Sequence, residues 1–114
     1  MILEGKVSHS VATLGENLLN LDARTKKYGK VGYNRVLLAV GLVGSAAPGD
    51  TIVEVLIGGT GVAVIGNSRA GADAWPGRDD IKACREVIPA NTELELVVRD
   101  APSTYPVAFH LTWM

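Results

Sequence analysis

A glycine cluster, Gly58-Gly-Thr-Gly61, is the part of this sequence that most resembles a phosphate-binding loop. A dinucleotide-binding loop would need a third glycine at position 64, which is Val64. A P-loop would need Gly-Lys followed by Ser or Thr, a combination that the sequence lacks. The residues after the cluster are β-branched and apolar, as in a strand. We therefore predict a tight turn between two strands here.

Histidine and serine give no pattern that is typical of catalysis or metal binding. The two histidines, His9 and His110, are isolated, and neither has the paired spacing of metal-binding histidines. No serine stands in the Gly-x-Ser-x-Gly pattern of a nucleophile elbow. We predict no catalytic residue, no metal ligand and no cofactor. His110 is expected to be a partly exposed strand residue, and His9 a hydrogen-bonded core residue.

One loop, residues 24–35, combines cations with aromatic residues. Such a loop can bind phosphates and stack on bases. However, the chain holds 11 basic and 12 acidic residues, so its net charge of −1 gives no field that attracts nucleic acid. We predict that this loop is either solvated or contacts a neighbouring subunit through Arg24, Lys26 and Lys27, and nucleic acid is not an expected partner. Trp75, between glycines and a proline, covers either its own core or a partner.

Length and composition indicate one domain, residues 1–114, because 114 residues with 47% hydrophobic content can form a single core. Cys84 is the only cysteine, so it predicts a small buried side chain and no internal disulfide. The longest apolar stretch, residues 36–43, is too short to span a bilayer, and no membrane insertion is expected. No signal peptide is visible, which favours intracellular synthesis. Glutamine is absent, as suits a thermophile.

Most of the chain shows the pattern of β-strands. Residues 107–113 alternate apolar and other side chains, and residues 35–44 are apolar on both faces. In a further run, Leu94, Leu96 and Val98 alternate with Glu93, Glu95 and Arg99. Proline and glycine mark the turns between these runs. Two segments are less clear: residues 17–21 suggest a short strand, and residues 79–88 fit either a short helix with Asp79 as its N-cap or another strand. The sum is an all-β fold, an antiparallel β-sandwich or jelly roll of seven to eight strands.

Three parts of the chain carry a likeness to a known family: Gly44-Ser-Ala-Ala-Pro-Gly-Asp-Thr-Ile-Val-Glu-Val55, Val87-Ile-Pro-Ala-Asn-Thr-Glu-Leu-Glu-Leu-Val-Val98 and residues 107–113. Their small residues, alternating strands and sharp turns resemble the single jelly-roll proteins of icosahedral virus and phage capsids. The resemblance implies a non-enzymatic structural subunit that forms trimers or pentamers and meets other shell proteins in a virion. Because no basic genome-binding arm is visible, it implies a penton, cement or minor shell protein.

A second function remains open from the sequence alone. A small β-sandwich can also be a binding module for a peptide or a carbohydrate, and such a module would be expected in the cytoplasm. Aromatic residues make up only 5% of the chain, which argues against the stacking platform that sugar binding uses. The native mass in solution separates an assembly subunit from a monomeric binding module.

Overall fold

The structure is a computed structural model that describes residues 1–7, 14–70, 75–104 and 106–114. These residues form seven strands in two antiparallel sheets, which confirms the predicted all-β, sandwich-like fold. The strands are β1 (Ile2–Val7), β2 (Arg35–Gly44), β3 (Ile52–Ile57), β4 (Thr60–Gly66), β5 (Ile81–Ile88), β6 (Leu94–Asp100) and β7 (Val107–Trp113). One helix, α1 (Leu18–Leu21), and two 3₁₀ turns (Lys26–Tyr28 and Arg78–Asp80) complete the elements.

The strand pairings are nested within one another. The four-stranded sheet has the order β1-β7-β2-β5, and the three-stranded sheet has the order β4-β3-β6. Strand β1 pairs with β7, β2 pairs with β5, and β3 pairs with β4, while Asn17 forms an isolated bridge with Val97 of β6. The innermost turn lies at Gly58 and Gly59, whose φ angles of +58° and +84° suit glycine. The predicted turn at the glycine cluster is therefore confirmed.

Alternation along β7 places its large side chains between the two sheets. Val107, Phe109, Leu111 and Trp113 are each at most 2% exposed. They face inward with Val40 and Leu42 of the neighbouring β2, and residues of the other sheet belong to the same core. The buried hydrophobic residues of the three-stranded sheet in this core are Val53, Val55, Ile65, Leu94, Leu96 and Val98. The period of two read from the sequence therefore identifies the central strand correctly.

Of the two alternatives predicted for residues 79–88, the strand is confirmed and the helix is wrong. The segment is a 3₁₀ turn followed by strand β5, which pairs with β2 from Arg35 opposite Ile88 to Gly41 opposite Ile81. A helix this short is unstable in isolation, whereas β2 offers a full row of backbone partners. Asp80, not Asp79, caps the turn, because its carboxylate accepts the Gly77 N–H at 2.7 Å.

The short strand predicted over residues 17–21 is also wrong. Residues Leu18–Leu21 form a single helical turn, and the side-chain oxygen of Asn17 accepts the N–H of Leu19 at 3.2 Å. The same oxygen accepts the N–H of Leu96 at 3.0 Å, which fastens the turn to β6. An asparagine at an N-cap favours this local hydrogen bonding over a continuous strand.

The second half of β2 is covered on both faces, as its two-sided apolar pattern predicts. Residues 40–44 are all buried. Beside them, Ser68 donates its N–H to Leu42 at 3.0 Å, and Arg69 accepts the Gly44 N–H at 2.9 Å. Pro76 packs over Gly41, where a Cβ would lie 3.4 Å from the proline Cβ. The β4–β5 connection thus shields one end of the outer face of the four-stranded sheet.

Asp50 joins two loops at one edge of the sandwich. Its carboxylate accepts the Ser45 hydroxyl, the Ser103 N–H at 2.9 Å and the Ser103 hydroxyl at 2.8 Å. These bonds, first that from the Ser103 backbone and then those from the two hydroxyls, lower the pKa of Asp50 to about 2. The loop between β2 and β3 is thereby tied to the loop between β6 and β7.

Replacing Phe109 with Ala should lower the free energy of unfolding by about 3–5 kcal/mol, because the fully buried ring would leave a cavity. Urea denaturation followed by tryptophan fluorescence measures this loss. Val64→Ala on β4 is the matched control, since Val64 is 66% exposed and its truncation should cost less than about 0.5 kcal/mol. A loss below about 1 kcal/mol for Phe109→Ala would show that this face of β7 is not core.

Replacing Asp50 with Asn should change how stability depends on pH. The folded-state pKa of Asp50, about 2, lies below the value of about 3.9 for an unfolded chain. The ionised form therefore stabilises the fold above about pH 4, and this contribution is lost as the pH falls toward about 2. We expect the variant to be less stable than the wild type at neutral pH, with the difference shrinking over this window. Urea midpoints at several pH values test this, and a pH-independent difference would contradict it.

Candidate assembly surface

The three cations predicted to form an interface lie together in one exposed loop. Arg24, Lys26 and Lys27 are exposed, and the two lysines begin a 3₁₀ turn that ends at Tyr28. The Lys27 ammonium lies 5.2 Å from the centroid of the Tyr28 ring. Leu94 of β6 donates its N–H to Gly29 at 2.7 Å, which holds this loop against the sandwich. The loop is thus positioned so that its charges face solvent.

Asp22 connects this loop to strand β1. The Arg24 guanidinium lies 3.3 Å from the Asp22 carboxylate, which also accepts the backbone N–H of Lys6 at 3.3 Å. Partial burial opposes ionisation of Asp22, but the hydrogen bonds from Arg24 and Lys6 outweigh it, so the pKa of Asp22 is lowered. The carboxylate is therefore charged at neutral pH and partly neutralises Arg24.

Trp75 lies against the same strand on the outer face of the four-stranded sheet. The Lys6 ammonium stands 4.4 Å from the centroid of the indole, a cation–π contact. Lys6 therefore contacts Trp75 through its side chain and Asp22 through its backbone, which links the tryptophan to the Arg24 loop. The indole is still 40% exposed. The indole therefore covers part of its own molecule, and its contact with a partner stays a prediction.

Arg35 does not belong to the basic surface, although it closes the cationic run in the sequence. Its side chain is 1% exposed and donates to the carbonyls of Tyr28 at 2.7 Å and Gly29 at 3.3 Å. The guanidinium carbon lies 5.2 Å from the centroid of the Trp113 ring. Burial lowers the pKa of Arg35, with the nearby Tyr33 opposing the shift, and its Nε has no hydrogen-bond partner among the described residues. Sequence spacing gave no sign of this burial.

An apolar strip crosses the opposite end of the outer face, and sequence reasoning missed it. We define the strip as Ile2, Val36, Val87 and Met114. The side chains of Ile2, Val87 and Met114 are 67%, 66% and 68% exposed. Val36 pairs with Val87 across one strand boundary and exchanges hydrogen bonds of 2.9 and 3.1 Å with Met114 across the next. Ile2 pairs with Thr112, two residues before Met114 along β7. Only the strand register brings these four residues together.

A groove of about 410 Å³ runs beside the strip. Asn34, Arg35, Val36, Val87, Pro89 and Met114 line it. The side chain of Asn34 is held in place, because its oxygen accepts the Ala90 N–H at 2.8 Å. None of these lining residues is aromatic. The groove therefore presents aliphatic side chains and one fixed amide, a surface suited to apolar contact more than to sugar stacking.

His110 is buried, so the prediction of a partly exposed residue is wrong. It is 6% exposed on the outer face, between Glu4 of β1 and Gly41 of β2. Its Nδ1 lies 3.2 Å from the Glu4 carboxylate and its Nε2 lies 2.6 Å from the Thr112 hydroxyl. Because Gly41 has no side chain and Pro76 packs over it, the imidazole is shielded from solvent. The predicted core residue His9 lies outside the described residues.

The carboxylate–imidazole–hydroxyl order of Glu4, His110 and Thr112 is also that of a hydrolase triad. Acyl transfer further needs donors aimed at a developing oxyanion beside a substrate cleft. The groove described above is lined by other residues. The three side chains join β1 to β7 through adjacent positions of the sheet, and a hydrogen-bonded cross-strand tie accounts for their arrangement.

Metal binding and membrane crossing find no support in the described ranges. Within them, no group of three or more His, Cys, Asp or Glu side chains could hold a metal ion. No helix formed by these residues is long and apolar enough to cross a bilayer. No protein-family model matches the chain, and no curated protein or solved structure matches it either.

The two arginines at the ends of the basic loop should respond very differently to truncation. Arg35→Ala should lower the free energy of unfolding by at least about 2 kcal/mol, since each buried acceptor left without a donor costs about 1–3 kcal/mol. Arg24→Ala is the matched control and should cost less than about 1 kcal/mol, because its ion pair is exposed. Chemical denaturation of both variants measures the contrast. Equal losses would mean that Arg35 does not hold the loop in place.

Proposed function

We propose that this chain is a structural subunit that assembles with copies of itself. The apolar strip carries the proposal, since three of its four side chains are about two-thirds exposed on one sheet face. Contiguous exposed apolar surface marks interaction sites in soluble proteins. The Arg24 loop and Trp75 flank strand β1 and supply polar and aromatic contacts near this face. A core of apolar residues with a polar rim is the usual composition of a protein–protein interface.

The specific form of this proposal is a virion shell component, either a penton, cement or minor shell protein. Its support is the nested order of strand pairs. A jelly roll is a two-sheet fold of eight strands. The strand order here fits a jelly roll in which the bridge of Asn17 with Val97 takes the place of one strand pair. We propose assembly as trimers or pentamers together with other shell proteins, in the virion.

The groove favours one alternative, a cytoplasmic module that binds an apolar peptide. Its volume of about 410 Å³ and its Val, Pro and Met lining suit one or two aliphatic side chains. The fixed amide of Asn34 could orient a peptide backbone beside them. The groove is less suited to a carbohydrate, because none of the described residues that line it is aromatic. In this alternative the chain would stay monomeric and the groove would be occupied by another protein.

The assembly proposal predicts that charges placed in the strip abolish self-association. Ile2→Asp combined with Met114→Asp should convert an oligomer at micromolar concentration to monomer, because burying two carboxylates at an apolar contact is strongly unfavourable. Sedimentation velocity measures the mass. Val64→Asp is the control, since Val64 is equally exposed but lies on β4 of the other sheet. A monomeric wild type would overturn the proposal and favour the peptide-binding alternative.

Sedimentation velocity also tests whether the basic loop takes part in assembly. Lys26→Glu combined with Lys27→Glu should weaken assembly if the loop meets a neighbouring subunit, and it should leave the monomer's urea midpoint unchanged, because both side chains are exposed. Retention on duplex and single-stranded DNA provides the second readout. Tight wild-type retention at physiological salt that the double change abolishes, with assembly intact, would assign the loop to nucleic acid instead.

A further inference from the structure

Strand β5 is one of the two edge strands of the four-stranded sheet in the described part of the chain, the other being β1. Its residues Lys82, Ala83, Arg85 and Val87 are exposed. An edge strand offers unpaired backbone donors and acceptors that can pair with another chain. Which residues of β5 offer them follows from the hydrogen bonds of β2, its neighbour among the described strands.

Backbone groups of successive residues in an antiparallel strand point to opposite sides. Val36 exchanges both of its bonds with Met114 on the β7 side, so the flanking residues Arg35 and Leu37 direct theirs toward Ile88 and Glu86 of β5. A bulge between Leu37 and Ala39 then changes whether the odd-numbered or the even-numbered residues of β2 direct their backbone groups toward β5.

Beyond the bulge, Leu42 and Gly44 direct their backbone groups away from β7, since they bond to Ser68 and Arg69 on the β5 side. Val40 therefore does the same and faces Lys82. Lys82, Glu86 and Ile88 of β5 consequently bond to β2, whereas the register shift leaves Cys84 and Arg85 without a partner residue in β2. The odd-numbered residues point their N–H and C=O groups outward, and they are Ile81, Ala83, Arg85 and Val87.

The charges on β5 are symmetric about its centre. Lys82 and Glu86 lie two residues to either side of Cys84, on the same sheet face. If two copies of β5 pair antiparallel with Cys84 opposite Cys84, each Lys82 stands opposite the Glu86 of the other copy. The outward backbone groups match in this register as well, because Ala83 then pairs with Arg85 and Ile81 with Val87, all through residues whose groups point away from β2.

Competing registers are less favourable. A two-fold axis perpendicular to the sheet preserves its faces, so any residue of β5 could in principle lie at the centre. Centring on Lys82, Arg85 or Glu86 places like charges directly opposite, which is destabilising. Centring on Ala83 puts Lys82 opposite Cys84 and forms no ion pair. Among these registers, the one centred on Cys84 alone forms two opposite-charge pairs.

We propose that β5 is a contact between two copies of this chain, paired antiparallel about a two-fold axis at Cys84 so that their four-stranded sheets join into one. This inference rests on the proposed function and names one of its contacts. A two-fold contact is self-complementary and closes on itself, so it can join trimers or pentamers edge to edge. Val87 of the apolar strip lies on the joined sheet and extends the contact to the outer face.

The decisive experiment reverses the charges one at a time and then together. Lys82→Glu or Glu86→Lys alone sets like charges opposite each other twice and should weaken the β5 contact about tenfold. The double change Lys82→Glu/Glu86→Lys restores both pairs and should bring the dissociation constant back to within about threefold of wild type. Glu16→Lys, an exposed charge reversal outside β5, the strip and the basic loop, is the control. Sedimentation equilibrium measures the constants, and urea midpoints check that every variant folds.

Cys84 gives an independent readout as the only cysteine. It occupies a position whose backbone groups do not bond across the new contact, where Cα atoms lie about 4.5 Å apart, within the range that a disulfide spans. Diamide should take two electrons and two protons from the paired thiols and give a covalent dimer on a non-reducing gel, and less of it for Lys82→Glu.

The outcomes separate this inference from the proposed function. A wild type that assembles but gives no covalent dimer, or whose affinity Lys82→Glu leaves unchanged, overturns the β5 contact and leaves the assembly proposal standing. Loss of affinity in the single variants without recovery in the double variant also overturns the proposed register. A wild type that stays monomeric overturns both.

Discussion

The buried guanidinium of Arg35 is the interaction on which one end of the sandwich depends. A guanidinium is a charged group, and burying it among apolar residues is costly unless its N–H donors are hydrogen-bonded. Two carbonyls of the loop, from Tyr28 and Gly29, accept from it, and the face of Trp113 lies beside it. The Tyr28 ring packs 5.7 Å from the same indole. A single side chain therefore holds the 24–34 loop, the start of β2 and the end of β7 in one arrangement.

The outer face of the four-stranded sheet has one covered end and one exposed end. At one end, the β4–β5 connection covers β2 and shields His110. At the other end, no described segment lies over the strip, so aliphatic side chains meet solvent there. Arg35 and Trp113 lie beside each other at the start of β2 and the end of β7, and their chain neighbours Val36 and Met114 belong to the strip on the outer face. The core and the candidate interface are thus formed by neighbouring residues on opposite faces of the same strands.

The strands and the core were predictable where a single period dominates. Residues 107–113 alternate strictly, and the two-sided apolar pattern of residues 40–44 matches their burial on both faces. Prediction failed where the outcome depends on a distant partner. Residues 79–88 fit either period until β2 supplies a ladder, and His110 looks exposed until Gly41 and Pro76 enclose it. The apolar strip could not have been found from the sequence, since its members come from positions 2, 36, 87 and 114.

The nested pairing of strands also has a kinetic meaning. The β3–β4 hairpin closes a very short loop at Gly58 and Gly59, and such hairpins form within about 1–10 μs. Each pair outside it, β2 with β5 and then β1 with β7, joins residues that are further apart along the chain, and closing these longer loops slows folding. Inner pairs shorten the effective distance for the outer ones, so folding can proceed as a zipper from the centre of the chain. Until β7 docks between β1 and β2, both of those strands leave backbone N–H and C=O groups unpaired along the edge that β7 will occupy. Such edges can pair with other chains, so the docking of β7 protects the chain from indiscriminate aggregation.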